Sequence, residues 1–204
     1  MRDDARLRLW LEALLATPGL TGTADPGEAW QLHVEDALAA KALIEAGPVV
    51  DVGSGGGSPG LPLAAALPHL EFHLLESSRR KCAFLAEVAR EFPNVRVVCA
   101  RAEEHARGTG RDAYGAAVAR ALAPPAAAAE WCLPLVRPGG VFILFAGAPP
   151  AGLDRVAAAL GAAPPEVSPV PGAQTKTLVV FRKVEPTPER FPRRPGVARK
   201  RPLA

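Results

Sequence analysis

The run Pro48-Val49-Val50-Asp51-Val52-Gly53-Ser54-Gly55-Gly56-Gly57-Ser58-Pro59-Gly60 places an acid near the end of a short apolar segment and follows it with glycines. A strand that enters a glycine-rich turn and then a helix brings backbone N–H groups to the carboxyl edge of a sheet, where open α/β folds bind ligands. Glycine suits such a turn because a ligand can approach the backbone more closely than a side chain would permit. The neighbours decide which ligand. The glycines are spaced Gly53-x-Gly55-x-Gly57, not G-x-G-x-x-G, and Asp51 would repel the pyrophosphate of a dinucleotide. No Gly-Lys-Ser or Gly-Lys-Thr follows, which excludes a P-loop. A second apolar run ends Leu74-Leu75-Glu76, setting another carboxylate where a ribose offers two hydroxyls. S-adenosylmethionine carries a sulfonium, an ammonium and a ribose but no phosphate, and so suits both acids. A purely structural turn would need neither.

The elements that must hold these residues follow from periodicity. Leu7, Leu11, Leu14 and Leu15, with Trp10 beside them, form one stripe and predict an amphipathic helix over 3–16, stopped by Pro18-Gly19. Asp25-Pro26-Gly27-Glu28 offers an N-cap, a proline at the first helical position and a carboxylate three residues after the cap. The helix it opens is expected to run through Trp30, Val34, Leu38 and Ile44 to Gly47 as a C-terminal cap. From Pro48 short apolar runs alternate with helical stretches. Strands are predicted near 48–52, 71–76, 95–100, 114–119 and 140–146, and helices near 60–67, 78–91, 102–107, 124–134 and 151–161. That alternation means a parallel sheet with helices on both faces. Two more strands, 166–170 and 176–183, are expected to form an antiparallel hairpin through Pro171-Gly172. The chain thus divides into a helical flap over 1–47, a seven-stranded α/β domain over 48–183 and a basic tail over 184–204.

Several segments carry a family resemblance. Asp51-Val52-Gly53-Ser54-Gly55-x-Gly57-x-Pro59-Gly60-Leu61-Pro62-Leu63 comes first, then Leu74-Leu75-Glu76-Ser77 with Arg80-Lys81 and Phe84-Leu85. Arg101-Ala102-Glu103-Glu104, Val118-Ala119-Arg120-Ala121, His33-x-x-Asp36-x-Leu38, Lys176-x-Leu178 and Phe191-Pro192-Arg193-Arg194-Pro195-Gly196 complete the set. Over about residues 19–204 this resembles the RsmG family, also called glucose-inhibited division protein B. The resemblance implies a Rossmann-like class I methyltransferase fold that uses S-adenosylmethionine to methylate guanine N7 in 16S ribosomal RNA. It implies cofactor contacts at Gly53 and Ser58, adenine flanked by Ala102 and Glu103, and Arg120 close to the cofactor. With Asp51, Gly55 and Glu76 from the residues themselves, these make up the expected cofactor site. Glu103 read alone is also an ordinary first-turn helix acid. Arg120, on a strand of small apolar residues, calls for a partner or a ligand.

Guanine N7 has an in-plane lone pair, so methylation there needs no general base, only placement and exclusion of water. Other acceptors fit less well: Cys132 follows Trp131 on a predicted helix and reads as core, and Ala121-Leu122-Ala123-Pro124-Pro125 stands where amine methyltransferases carry Asn/Asp-Pro-Pro-aromatic. His33 is the flap's candidate substrate contact, against a capping or core role. Three positions depart from the family: Gly19 stands for Asn, Ala37 for Ser and Ala146 for Lys, which makes the RNA-facing edge look eroded.

The net charge of +3 hides an asymmetry. From Arg182 onward eight Lys or Arg face two acids, Glu185 and Glu189. Such a tail suggests a polyanionic partner, here 16S ribosomal RNA or the small ribosomal subunit, with Arg193, Arg194, Arg199, Lys200 and Arg201 gripping phosphates; a merely solubilising tail is the alternative. Apolar runs fall short of the roughly 20 residues that cross a bilayer, and no basic, apolar leader opens the chain, so a cytoplasmic protein without membrane contact is expected. Cys82, Cys99 and Cys132 look too few and scattered for a disulfide framework or a metal knuckle, and no metal is expected. Arginine outnumbers lysine 19 to 5 and alanine is abundant, which reads as codon bias. Three function classes are compatible with the sequence: an RNA guanine-N7 methyltransferase, a same-fold methyltransferase on a small molecule or protein, and a non-catalytic RNA-binding member.

Overall fold

A computed structural model describes residues 4–147, 151–170 and 176–203. Seven strands form one sheet in the order β3-β2-β1-β4-β5-β7-β6. They are β1 (Val49–Val52), β2 (Phe72–Glu76), β3 (Val95–Cys99), β4 (Tyr114–Arg120), β5 (Val136–Ala146), β6 (Glu166–Pro169) and β7 (Thr177–Arg182). The first five are parallel to one another, while β7 runs antiparallel to β5 and to β6. The predicted turn of that hairpin lies outside the described residues.

β1 is buried at every position because helices cover both faces of the sheet, which is why it reads as an unbroken apolar run around Asp51. On one face α7 (Pro125–Cys132) and α8 (Leu153–Ala159) pack against Val50, Ala117 and Phe142. The four alanines Ala126–Ala129 are buried there, so the small side chains let α7 lie close to the sheet. Phe142 and Phe181, paired across β5 and β7, stack with centroids 5.4 Å apart. On the other face α4 (Gly60–Ala66) and α1 (Ala5–Ala16) bury Leu61, Leu63, Leu7, Trp10 and Leu14. Trp10 also donates from Nε1 to the Gly56 carbonyl at 2.7 Å, which ties α1 to the glycine loop. Among the described residues no helix is long and apolar enough to cross a membrane.

Strand order reverses between β1, whose chain continues outward through β2 and β3, and β4, on its other side. The resulting switch point sets the end of β1 beside the end of β4.

Three expectations are corrected. The helix expected from Asp25 to Gly47 is broken: α2 (Pro26–Trp30) passes into a π-helical turn (Gln31–Glu35), then α3 (Asp36–Leu38) and a 3₁₀ turn (Lys41–Leu43). Gly47 lies beyond that turn, directly before β1. The residues after β7 do not project as a free tail. Phe191 is buried, Arg111 donates to the carbonyls of Thr187 (2.5 Å) and Phe191 (2.8 Å), and Arg107 donates to that of Pro192 (2.8 Å). Lys183 is buried as well, donating to the Leu133 carbonyl at 3.0 Å, and its burial lowers its pKa to about 8. Finally, Cys82 and Cys99 form a disulfide. They are 17 positions apart, on α5 (Arg79–Val88) and β3, and the crossover from β2 through α5 to β3 brings their Cα atoms to 5.8 Å. Cys132 is free and buried, as a core residue.

Candidate active site

Asp51 stands at the switch point. Its Oδ2 accepts from the Gly60 N–H at 3.0 Å, while Oδ1 is buried without a hydrogen-bond partner among the described residues. Burial pushes its pKa up to about 7, against the pull of the Gly60 amide and the Arg120 guanidinium. A buried acid with one oxygen unsatisfied is costly, and such a site suits a cationic ligand.

The glycine loop closes over this acid. Gly53 and Ser54 donate to the Leu75 carbonyl at 2.8 and 3.2 Å, and Gly55 donates to Glu76 Oε2 at 3.0 Å. Gly55 adopts φ +57°, and a Cβ built on it would have nothing nearer than 3.8 Å, so the loop leaves open space on its outer side. The Glu76 carboxylate accepts further from Ser77 and Ser78 N–H, both at 2.8 Å, which uses three of roughly four acceptor positions. The acid expected to meet a ribose therefore also braces the loop.

Arg120 ends β4 and reaches across the cleft to the flap. Its Nη1 donates to the Leu32 carbonyl at 2.5 Å, and Nη2 lies 2.8 Å from His33 Nδ1. A guanidinium only donates, so Nδ1 accepts and the ring proton resides on Nε2, which donates to Thr21 Oγ1 at 2.9 Å. Burial and the Arg120 charge lower the His33 pKa to about 4, which keeps the ring neutral at pH 7. His33 is thus a structural link, with no charge for a phosphate. Ser58 likewise spends its hydroxyl on the flap, donating to the His33 carbonyl at 2.7 Å. The π turn, a distortion often found at functional sites, underlies the flap here: both Leu32 and His33 belong to it.

Three cavities meet at this edge. A cleft of about 410 Å³ lies between flap and loop, lined by Thr21, His33, Gly55, Ser58, Lys81 and Arg120. A smaller recess of about 190 Å³, floored by Val52, Leu75, Ala100, Ala102 and Leu122, lies beyond Gly53. Apolar walls at the ends of β1 to β3 suit a planar adenine. α6 (Ala102–His105) starts there, but the Glu103 side chain is turned to the C-terminal segment, accepting from Gly196 N–H at 3.2 Å. A third chamber of about 380 Å³ shares Leu32, Arg120 and Ala121 with the cleft. Ala121 has φ +51°, an uncommon strain for alanine of the kind that clusters at functional sites.

Of the five tail cations, Arg193 is committed. It is held by buried Glu130, with Nε at 2.8 Å and Nη2 at 2.5 Å. Arg194, Arg199, Lys200 and Arg201 are exposed. The departures from the family pattern also find places. Gly19 has φ +77°, a left-handed conformation that Gly and Asn both adopt, so this exchange conserves the turn. Ala37 is buried in the flap, and Ala146 lines the third chamber, which Lys176 also enters. Sequence reasoning passed over Asp36 and Lys176 as site residues. They pair across the chamber from 140 positions apart, and the signals available were that Asp36 shares a motif with His33 and that Lys176 opens another.

A glycine loop at the switch point of a 3-2-1-4-5-7-6 sheet, over an acid that suits a cation, defines the class of S-adenosylmethionine-dependent methyltransferases. The described residues fit that cofactor, since Asp51 holds an unsatisfied oxygen and the loop at Gly55 leaves room beside it. Comparison narrows the class, and the chain belongs to the rRNA small subunit methyltransferase G (GidB) family, whose profile matches residues 7–152. It is 38% identical over 199 residues to ribosomal RNA small subunit methyltransferase G of Moorella thermoacetica, covering 90% of this chain and 82% of the relative. The corresponding Roseiflexus castenholzii protein is also 38% identical, with 99% and 89% covered. The fold is shared with the apo S-adenosylmethionine-dependent methyltransferase SibL at TM-score 0.61 and 18% identity, over 86% of this chain and 62% of that one.

Proposed function

We propose that this chain methylates N7 of a guanine in 16S ribosomal RNA, working in the cytoplasm on the RNA or the assembling small subunit. S-adenosylmethionine supplies the electrophilic methyl group when bound. Asp51, Gly53, Gly55, Ser58 and Glu76 would hold its amino acid and ribose parts, and Ala102 and Glu103 would border the adenine. Arg120 fixes the flap over the cleft.

The observation that carries this reading is the state of His33. The imidazole in the cleft is neutral, accepts from Arg120 at one nitrogen and donates to Thr21 at the other, so it has no lone pair left to take a proton. A guanine N7 needs no proton removed. Placement of the nucleophile against the methyl group is the contribution left for the protein.

The test is incubation with methyl-labelled cofactor and small subunits lacking the modification, followed by nucleoside analysis. Label in 7-methylguanosine supports the reading. Label in a protein or a small molecule alone would favour another methyl acceptor on the same fold.

A further inference from the structure

The third chamber has the chemistry of a base-reading site. Asp36 at its wall is a buried carboxylate, 5% exposed. Its Oδ2 is ion-paired with Lys176, and among the described residues its Oδ1 has only Gln31 Nε2 at 3.5 Å, the outer limit of a hydrogen bond. A carboxylate offers about four acceptor positions, so Asp36 keeps acceptor capacity towards the chamber. Phe145 supplies an apolar wall, and Arg120 and Lys176 add donors. The volume, about 380 Å³, lies in the range of small-molecule sites. Because Leu32, Arg120 and Ala121 line both spaces, an occupant of the chamber abuts the cofactor cleft.

We propose that this chamber selects the guanine, with the Asp36 carboxylate accepting from N1–H and the N2 amino group and Lys176 donating to O6. The inference rests on the methyltransferase reading of the adjoining cleft and names the residues that read its substrate. Guanine is the base that presents two adjacent donors beside a carbonyl oxygen. Adenine would turn the N1 lone pair to the carboxylate and be repelled. N7 lies on the far side of the purine from the C2 amino group, so a guanine held this way directs N7 back towards the cleft. Enzymes that act on an extruded base read it in this manner, through its Watson–Crick edge and an apolar face.

The test pairs a protein change with a substrate change. Small subunits are assembled around RNA carrying guanosine or inosine at the position that acquires label; inosine keeps N7, N1–H and O6 but lacks the N2 amino group. Wild-type protein should methylate inosine at least about tenfold more slowly, because the carboxylate loses a partner. Asp36→Asn should slow guanosine by a similar factor, and inosine should then cost the variant less than about twofold more. Its cofactor affinity should stay within about twofold of wild type. Equal wild-type rates on the two RNAs, or a full inosine penalty in Asp36→Asn, would overturn the proposal. If Asp36→Asn does not fold, the wild-type comparison decides alone. Wild-type protein that leaves no label in 7-methylguanosine would instead refute the function proposed above, a separate outcome.

Discussion

The Arg120 guanidinium donates to His33 Nδ1 at 2.8 Å and, through its other terminal nitrogen, to the Leu32 carbonyl at 2.5 Å, joining the end of β4 to the π turn of the flap. The two residues lie 87 positions apart. One bidentate side chain therefore sets both the tautomer of His33 and the height of the flap above the glycine loop.

Removing that clasp should cost both stability and activity. Hydrogen bonds to a charged group contribute about 1.5–3 kcal/mol each. Arg120→Met is expected to lower kcat/KM for methyl transfer by roughly 10- to 100-fold. Arg120→Lys should recover only part, because an ammonium does not reproduce the planar fork that spans two acceptors. Steady-state kinetics on small subunits measures this, and a rate within threefold of wild type for Arg120→Met would count against the assignment.

Asp51 gives a pH signature. Its folded pKa, near 7, lies above the unfolded value of about 3.9. The native state therefore binds more protons than the unfolded state between those values, so stability from this group is full below pH 4 and is lost as pH rises through 7. Asp51→Asn should raise the Tm at pH 8 and leave it little changed at pH 4. A cationic cofactor favours the ionised acid, so wild-type affinity should rise from pH 6 to about pH 7 more steeply than that of the Asn variant, which should bind about tenfold more weakly. His33, near 4, titrates below this window. Calorimetric titration at several pH values reads both effects.

The C-terminal segment is expected to stabilise the fold as well as meet RNA. Glu130, 1% exposed, accepts from Arg193 through the backbone N–H at 3.1 Å and through the guanidinium. Glu130→Gln or Arg193→Ala should lower stability by about 1–3 kcal/mol. Because Gly196 bonds to Glu103 in the wall of the recess, the same changes should also weaken cofactor binding several-fold. Thermal melts and cofactor titration check this.

RNA affinity separates the exposed cations from the committed one. Replacing Arg194, Arg199, Lys200 and Arg201 by alanine should leave the Tm unchanged and reduce the slope of log affinity against log salt by about 3, at 0.7–0.9 per phosphate contact. Arg193→Ala alone should move the slope by less than one. Filter binding across a salt series distinguishes the two.

What was legible in the sequence was local. The glycine run, Asp51 and Glu76 sit where strand, turn and helix meet, and the fold places them as the pattern implied. The flap was misread because Trp30, Val34 and Leu38 keep a helical spacing straight through the π turn: apolar periodicity records which face is buried and is blind to a slipped hydrogen bond. Charge pairing across long separations left no trace either. Arg193 looks like a phosphate ligand until Glu130, 63 positions earlier, is folded against it. Asp36 looks like an ordinary helix acid until β7 brings Lys176 to its side, and the disulfide depends on a crossover of the same kind.

The most direct measurement is methyl transfer to two preparations of small subunits, one lacking the modification and one already carrying it, with label counted in 7-methylguanosine. Stoichiometric label in the first and none in the second is the predicted result. No label in that nucleoside from a preparation that binds S-adenosylmethionine, or equal label in both, would contradict the assignment.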